Sequence, residues 1–591
     1  MIRRHCGQVI ASFLLLCVAV GGLCTLPSGV FWHPDEGAKF LAMRSLRWEH
    51  GIAYDVPYRG RGIDPQLRFY AGRCGYGVIY PTADGPAGAK NYWPIAFPLL
   101  SRPLFDLFGF SGLYLLPLLA GWLTAVVAGR WVAGYDERLS GVATLLVGCS
   151  SPIIFYSVSF SEHTLATLCG VIAVSLLLDG RTGAGRLCLI GMCLVLASVL
   201  RFEMLGFAAA VVGTLAVSAL AARRRASTAG SSEPTLRWPT WRQLVATIGV
   251  TFAMGAVLLN ALAPRHLDQF VAVPHLVEHL RTKLPFLMES IGKILMGEPG
   301  FHNALADETW LLAMVLSIGA ATVAPFAATR RGEAMLIVGA LGVLLASSLR
   351  ATLWQEAYLT RQGVLAVAPY MSVSSYVLAE AWTRHDDRLF RLACVTMCYA
   401  AIGCGAVFAA KVNDVGEYLI GLDGPARYLL TLYPMGAVLS LLAVALYWGS
   451  ERHTVLKSAF TVLVASMVVA ATVYEYRGLK MVSTSRRTLT TWETALQAHD
   501  RVITNVWWLA GMLAPFSATR EFYCVDELNA VSDWAGLAAA HGVTAFSFAS
   551  VNPIDAARFG GNAGQIVLEE SEIVDGLYLN HYRLALNPGG S

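Results

Sequence analysis

Two carboxylates stand side by side at Asp35-Glu36, within the run His33-Pro34-Asp35-Glu36-Gly37 that begins just beyond the first hydrophobic stretch of the chain. An acidic pair where a membrane helix meets water can act as a general base and a ligand group toward a substrate carried by the membrane. The same charges also suit the start of a helix, where unpaired backbone N–H groups favour negative charge. Adjacent residues leave a regular helix in different directions. One carboxylate can therefore face a substrate while the other caps a helix that Gly37-Ala38-Lys39-Phe40-Leu41 would begin.

Further polar residues interrupt otherwise apolar sequence. Ser161-Glu162-His163-Thr164 follows Ile154-Phe155-Tyr156 at the end of an apolar stretch. There Glu162 and His163 lie at or near membrane depth, where ionisable groups are expensive and tend to be functional. Arg201-Phe202-Glu203 is a third polar turn, either a self-contained ion pair or a ligand contact. Thr360-Arg361-Gln362-Gly363 with Pro369, and Ala426-Arg427-Tyr428-Leu429-Leu430 with Pro434, each place an arginine at the mouth of a helix that then carries a proline. Arginine suits bidentate recognition of phosphate, although it also snorkels at membrane interfaces without any catalytic role.

The elements that must position these groups are predominantly membrane helices. The chain has 591 residues, 55% apolar and only 14% charged, with a mean hydropathy of +0.54, which excludes an ordinary soluble protein. The first apolar run, residues 8–26, reads as a retained helix because many more spans follow and no cleavage site stands clear of it. Windows long enough to cross ~30 Å of hydrocarbon recur at 111–133, 139–157, 163–179, 187–200, 204–221 and 243–263. Others lie at 309–328, 334–349, 363–382, 390–410, 428–448 and 456–474, for about thirteen spans in all.

Arg3-Arg4, Arg130 and Arg138, Arg181 and Arg186, Arg223-Arg224-Arg225, Arg330-Arg331, Arg384 to Arg391, and Arg452 with Lys457 fall on one side by alternation. That side is the cytoplasm by the positive-inside rule, which puts Asp35-Glu36 and the C-terminal tail outside. The net charge of +4 is accounted for by these anchors and gives no indication of nucleic acid. No nucleotide-binding fingerprint occurs, so the energy of any reaction must come from its substrate.

The predicted organisation is a transmembrane domain over residues 1–475, with two long external loops, and an extracytoplasmic α/β domain over 476–591. The first loop, 28–110, carries the acidic pair and the proline-broken segment Asn91 to Leu100, which suits a short helix in the headgroup layer. The second, 264–308, holds Arg265, His266, His275, His279, Arg281, Lys283, Lys293 and His302 among apolar residues. It is either a surface for anionic headgroups or a loop that solvates helix ends. In the tail, the pattern predicts a helix over 486–499, a strand over 501–504, a helix near 527–541 and a strand over 543–548. Asn505-Val506-Trp507-Trp508 ends the first of those strands, where α/β folds place binding residues, or where two tryptophans face the membrane interface. Of the twelve cysteines only Cys74 and Cys524 lie clearly in external segments, where a disulfide between them can form.

In their order and sidedness, Asp35-Glu36, the segment Tyr92 to Leu100, the turn from Phe155-Tyr156 to Glu162-His163, and Ala426 to Leu430 give a chain that resembles the polyprenyl-phosphate-dependent glycosyltransferases of the GT-C fold. The branch it resembles contains the protein O-mannosyltransferases and the lipid A aminoarabinose transferase. The resemblance implies an inverting transfer of a sugar from a polyprenyl-phosphate carrier to a protein, lipid or polysaccharide acceptor at the extracytoplasmic face.

It further implies that Asp35 is the general base, with Glu36 as the substitute, and that Arg201, Lys283, Arg361 or Arg427 stabilises the departing lipid phosphate. Glu162, with His163 beside it, would orient the acceptor or bind a divalent metal, which some members of the family use. His33 departs from the common pattern beside the acidic pair and leaves metal dependence open. Rival readings are a transporter or flippase for lipid-linked saccharide, a polymerase or ligase for surface polysaccharide, and a non-catalytic envelope assembly protein. Transporters tend to place such groups at the bilayer midplane in paired halves, whereas here they gather at one surface.

Overall fold

The structure is a computed structural model that describes residues 6–47, 53–54, 57–70, 79–82, 85–91, 95–180, 183–201, 204–229, 362–413, 430–448, 454–559 and 566–584. The described chain divides into two compact units. One comprises Met1–Val20, Pro117–Val158 and Glu162–Gly478; the other Gly21–Leu116, Ser159–Ser161 and Leu479–Ser591.

In chain order the helices through the first half are α1 (Cys6–Thr25), α2 (Pro34–Ser45), α3 (Ala96–Phe108), α4 (Leu115–Ala133), α5 (Ser140–Cys149), α6 (Ile153–Ser157), α7 (His163–Leu178), α8 (Ala184–Leu200) and α9 (Met204–Ala229). There follow α10 (Gln362–Thr383), α11 (Asp387–Asn413), α12 (Leu432–Trp448) and α13 (Thr454–Leu496), and in the tail the short α14 (Trp507–Met512), α15 (Ala514–Ser517) and α16 (Ala530–Ala540).

The first unit is helical. Three stretches among the described residues, Cys6–Thr25, Ala96–Ala133 and Met204–Ala221, are long and apolar enough to cross a membrane, and His163–Leu178, Gly185–Leu200 and Leu432–Leu446 are shorter apolar helices. On α1 the side chains of Val9, Ile10, Phe13, Leu14 and Val18 are exposed. A surface of this kind is stable only against lipid or another apolar partner, so the chain is a membrane protein.

Small residues set the helix contacts, as is usual where lipid supplies no hydrophobic driving force. A Cβ on Gly121 of α4 would lie 1.9 Å from Ser157 Oγ, and one on Gly129 would lie 2.1 Å from Thr144 Oγ1. Gln8 and Trp122 fasten α1 to α4 by donating to the Val126 and Ser12 carbonyls, both at 2.9 Å. The predicted span 139–157 is two short helices, α5 and α6, because Pro152 occupies the break between them. The windows at 243–263, 309–328 and 334–349, and the second external loop, lie outside the described residues.

The second unit is built on a five-stranded mixed sheet. Its strands are β5 (Arg501–Thr504), β6 (Glu521–Cys524), β7 (Ala545–Ser550), β8 (Ile566–Val574) and β9 (Leu577–Leu584), in the order β6-β5-β7-β9-β8. Earlier in the chain, the short pairs β1 (Leu46–Arg47) with β2 (Ala53–Tyr54) and β3 (Ile79–Thr82) with β4 (Gly85–Asn91) are antiparallel. In the main sheet β5 runs parallel to both β6 and β7, while β9 is antiparallel to β7 and β8. The predicted strand over 501–504 forms as β5, the predicted strand over 543–548 as β7, and the predicted helix near 527–541 as α16.

Two features differ from the sequence reading. No break separates a last span from the tail: α13 runs without interruption from Thr454 to Leu496, because its residues continue an apolar stripe past the membrane window. Leu489, Trp492 and Leu496 of that stripe pack with Leu509, Ala510 and Leu513 and with Val502, Phe522 and Leu579 of the sheet. Moreover, the tail is not a unit by itself, since the first external loop is part of the same compact body. Val30 belongs to the tail's core, and Tyr70 bridges Tyr523 at the β6 edge while Cys524 N–H donates to the Phe69 carbonyl at 2.9 Å.

The loop leading to that edge is held by Asp64. Its carboxylate accepts from Tyr58 Oη at 3.0 Å and from the Arg68 and Phe69 N–H groups at 2.9 and 2.7 Å. Cys524 is disulfide-bonded; its expected partner Cys74 lies outside the described residues.

The segment from Asn91 to Leu100 leads into α3, whose 13 residues span about 20 Å, short of the hydrocarbon core. Gly109 ends α3 with φ 61°, a left-handed conformation that glycine adopts without steric cost.

Candidate active site

The acidic pair lies inside a helix rather than before one. Pro34 occupies the first position of α2, where a residue without an N–H is at no disadvantage, and Asp35 and Glu36 fill the rest of the first turn. The cap is His33, in extended conformation, whose Nδ1 accepts from the Asp35 N–H at 3.1 Å. The same Nδ1 lies 3.6 Å from Asp35 Oδ2. The expected start at Gly37 is thus corrected by three residues, and neither carboxylate is the cap. The local signal was Pro34, which favours the first helical position.

The helix turn then separates the two acids. Glu36 points inward and is 3% exposed. Its Oε1 accepts from Trp32 Nε1 at 3.0 Å and from the Phe160 N–H at 2.8 Å, which ties α2 to Ser159–Ser161, the part of the α6–α7 connection that belongs to this unit. Burial pushes the Glu36 carboxyl above its ordinary value, and Arg486, His33, the Phe160 N–H and Lys39 draw it partly back. The Asp35 side chain, in contrast, is 18% exposed. Of the two it is the more exposed.

What lies under this turn comes from the far end of the chain. The Phe31 N–H donates to the Met512 carbonyl at 2.9 Å, and α2 packs on α14 and α15. At the crossing Gly37 meets Gly511 so closely that a Cβ on Gly37 would sit 1.6 Å from the Gly511 carbonyl oxygen. From α13, Arg486 donates through Nε to the Val30 carbonyl at 3.1 Å and through Nη2 to Tyr114 Oη at 2.6 Å. Phe31, Phe40, Phe97, Phe110 and Phe160 form the aromatic packing around this start. The strand end at Asn505-Val506-Trp507-Trp508, singled out in the sequence, begins α14 and so underlies the acidic turn.

Glu162 and His163 belong to the other unit, where Glu162 precedes α7 and both residues are buried. Arg201, at the end of α8, donates through Nη1 to Glu162 Oε1 at 2.9 Å. The structure thereby brings together two of the predicted residues, although the anticipated partner of Arg201 was its neighbour Glu203, which lies outside the described residues. The His163 ring stacks on Tyr156 with centroids 4.7 Å apart.

Lys283, Arg361 and Arg427 also lie outside the described residues. No three His, Cys, Asp or Glu side chains among the described residues are grouped so as to hold a metal ion. Arg486 and Tyr114 were missed by the sequence reading. Arg486 follows from helix spacing alone once α13 is known to be continuous, because it falls on the same face as Leu489 and Leu496.

No protein-family model matches the chain, and no curated protein sequence does. Among solved structures it is similar to the apo oligosaccharyltransferase of Archaeoglobus fulgidus, with 13% identity over 92% of this chain and 69% of that chain and a TM-score of 0.46. It is similar also to the same archaeon's AglB in complex with an inhibitory peptide and a dolichol-phosphate, with 13% identity over 91% and 69% and a TM-score of 0.41. A third is ArnT from Cupriavidus metallidurans bound to undecaprenyl phosphate, with 13% identity over 96% and 97% and a TM-score of 0.38. These neighbours are GT-C glycosyltransferases. At 13% identity and TM-scores below 0.5 the likeness transfers no activity or residue role to this chain.

Proposed function

We propose that this protein is an integral membrane glycosyltransferase that moves a sugar from a polyprenyl-phosphate carrier to an acceptor at the extracytoplasmic face, with inversion, and that Asp35 is its general base. The observation that carries the proposal is the sorting of the acidic pair. Glu36 is committed to Trp32 and Phe160 inside the fold, whereas Asp35 sits in the same turn with its side chain 18% exposed. The chain's apolar helices would bring a lipid-borne donor to such a turn.

In the proposed reaction Asp35 takes the proton of the acceptor hydroxyl as its oxygen attacks the anomeric carbon. The bond from that carbon to the phosphate oxygen breaks, and its electron pair leaves on the polyprenyl phosphate. A developing phosphate dianion needs fixed positive charge. Lys283, Arg361 and Arg427 are proposed for this role, and Glu162 with His163 for orienting the acceptor. Arg201 already holds Glu162, so orientation of that carboxylate is the better-supported task for it.

The test is turnover of polyprenyl-phosphate-linked sugars by the purified protein in lipid nanodiscs, read as release of polyprenyl phosphate. Asp35→Asn should lower turnover by about 10²–10⁴-fold with unchanged thermal unfolding. Full turnover in that variant would overturn the assignment.

A further inference from the structure

Arginine is almost never fully buried unless its charge is matched, yet Arg486 is 1% exposed. Its two hydrogen-bonded partners, the Val30 carbonyl and the Tyr114 hydroxyl, are 456 and 372 residues away in sequence. Its guanidinium also lies 5.1 Å from the Tyr114 ring centroid and 5.9 Å from that of Phe110. The nearby carboxylate is Glu36, on which Arg486 is the strongest attractive charge. Each member of this pair keeps one buried atom with no hydrogen-bond partner among the described residues, Nη1 of Arg486 and Oε2 of Glu36. A buried guanidinium and a buried carboxyl in one apolar setting are each costly to leave without the other.

We propose that Arg486 is a positioning residue for the acidic turn: from the tail helix it holds the chain at Val30 and supplies the counter-charge to Glu36, so that Asp35 is presented from a fixed backbone. Two routes run from Arg486 to Asp35. One passes along the backbone from Val30 through the capping His33; the other passes through Glu36, whose Oε1 fixes Trp32 and Phe160. A catalytic group displaced by as little as ~1 Å can lose about 10²-fold in rate. The tail thereby acts on the proposed chemistry without touching a substrate. This inference rests on the reading of Asp35 as the base.

The experiment compares wild type, Asp35→Asn, Arg486→Gln, Arg486→Lys, Glu36→Gln and the Glu36→Gln/Arg486→Gln double variant in nanodiscs, with kcat and donor KM from polyprenyl phosphate release. Arg486→Gln should lower kcat by about 10–100-fold while donor KM stays within about threefold. Arg486→Lys, which keeps the charge and one donor, should recover at least about tenfold of that loss. The double variant should be no more than about threefold worse than the poorer single one, because two coupled groups do not lose their effects additively. Should Arg486→Gln fail to fold, the double variant decides. Folded protein with reduced kcat supports the pairing, and failure to fold overturns it.

Unchanged kcat in Arg486→Gln, or strictly multiplicative losses in the double variant, would overturn the role of Arg486. If Asp35→Asn retains turnover, the reading of Asp35 fails instead. If Asp35→Asn is inactive while Arg486→Gln is fully active, only the present inference fails.

Discussion

Replacing Gly37 with alanine is the most direct challenge to the arrangement that seats the acidic turn on the tail. The added Cβ would lie 1.6 Å from the carbonyl oxygen of Gly511, 2.6 Å from its carbonyl carbon and 3.0 Å from Ala514 Cβ. The first two are backbone atoms, so no rotamer change can relieve the clash. To regain an ordinary contact of about 3.5 Å the two helices must separate by roughly 2 Å. The reverse approach is also close, since a Cβ on Gly511 would meet Pro34 Cα at 2.9 Å.

Overpacking of this kind costs about 1–3 kcal/mol, and each kcal/mol lowers the unfolding temperature by about 2–4 °C in a domain of 150–250 residues. A shift of that size one residue from Glu36 and two from Asp35 should also lower donor turnover by at least about 10²-fold. Unfolding in nanodiscs and polyprenyl phosphate release read the two effects. Gly536→Ala is the control. It lies in α16 with nothing within 4 Å of its added Cβ and should raise stability by about 0.5–1 kcal/mol, as alanine replaces glycine in an open helix. Wild-type stability and turnover in Gly37→Ala would refute the close approach of α2 to α14 and with it the platform described for Asp35.

Other outcomes follow from the same geometry. Because burial holds the Glu36 carboxyl above its ordinary value of 4.5, the folded state binds that proton more tightly than the unfolded chain. Its stabilising contribution is fully present below about pH 4.5 and is lost as pH rises through the raised value. Glu36→Gln should therefore show a shallower decline of unfolding temperature with rising pH than wild type, and parallel curves would show that Glu36 does not titrate there. Arg201→Met leaves the buried Glu162 without this partner and should cost about 3–5 kcal/mol of stability. Glu162→Gln/Arg201→Met should regain much of that loss, as read by unfolding in denaturant; equal losses in the two would refute the buried pair.

Much of the candidate site was legible because its signals are local. The span Cys6–Thr25, the acidic residues beyond it, the short helix α3 and the strand Arg501–Thr504 each follow from composition, periodicity or turn residues within a few positions. The helix start at Pro34 was equally local and was displaced only because two adjacent acids also read as a cap. The Arg201–Glu162 pair was not legible, because it joins the end of one helix to the start of another 39 residues earlier. Its nearer neighbour, Glu203, offered an equally plausible partner on spacing alone.

Sequence by itself determined that this is a chain of apolar helices with an acidic pair after the first and an α/β tail after the last. Those properties depend on transfer energies and backbone periodicities that each segment carries with it. Only the tertiary structure decided which carboxylate turns inward, since that choice depends on Trp32 and Phe160 meeting Glu36 from opposite directions along the chain. It also decided that Arg486 and Gly511 of the tail lie under the acidic turn. Long-range contacts of this kind arise from shape and charge complementarity between distant segments, and neither segment shows them when read alone.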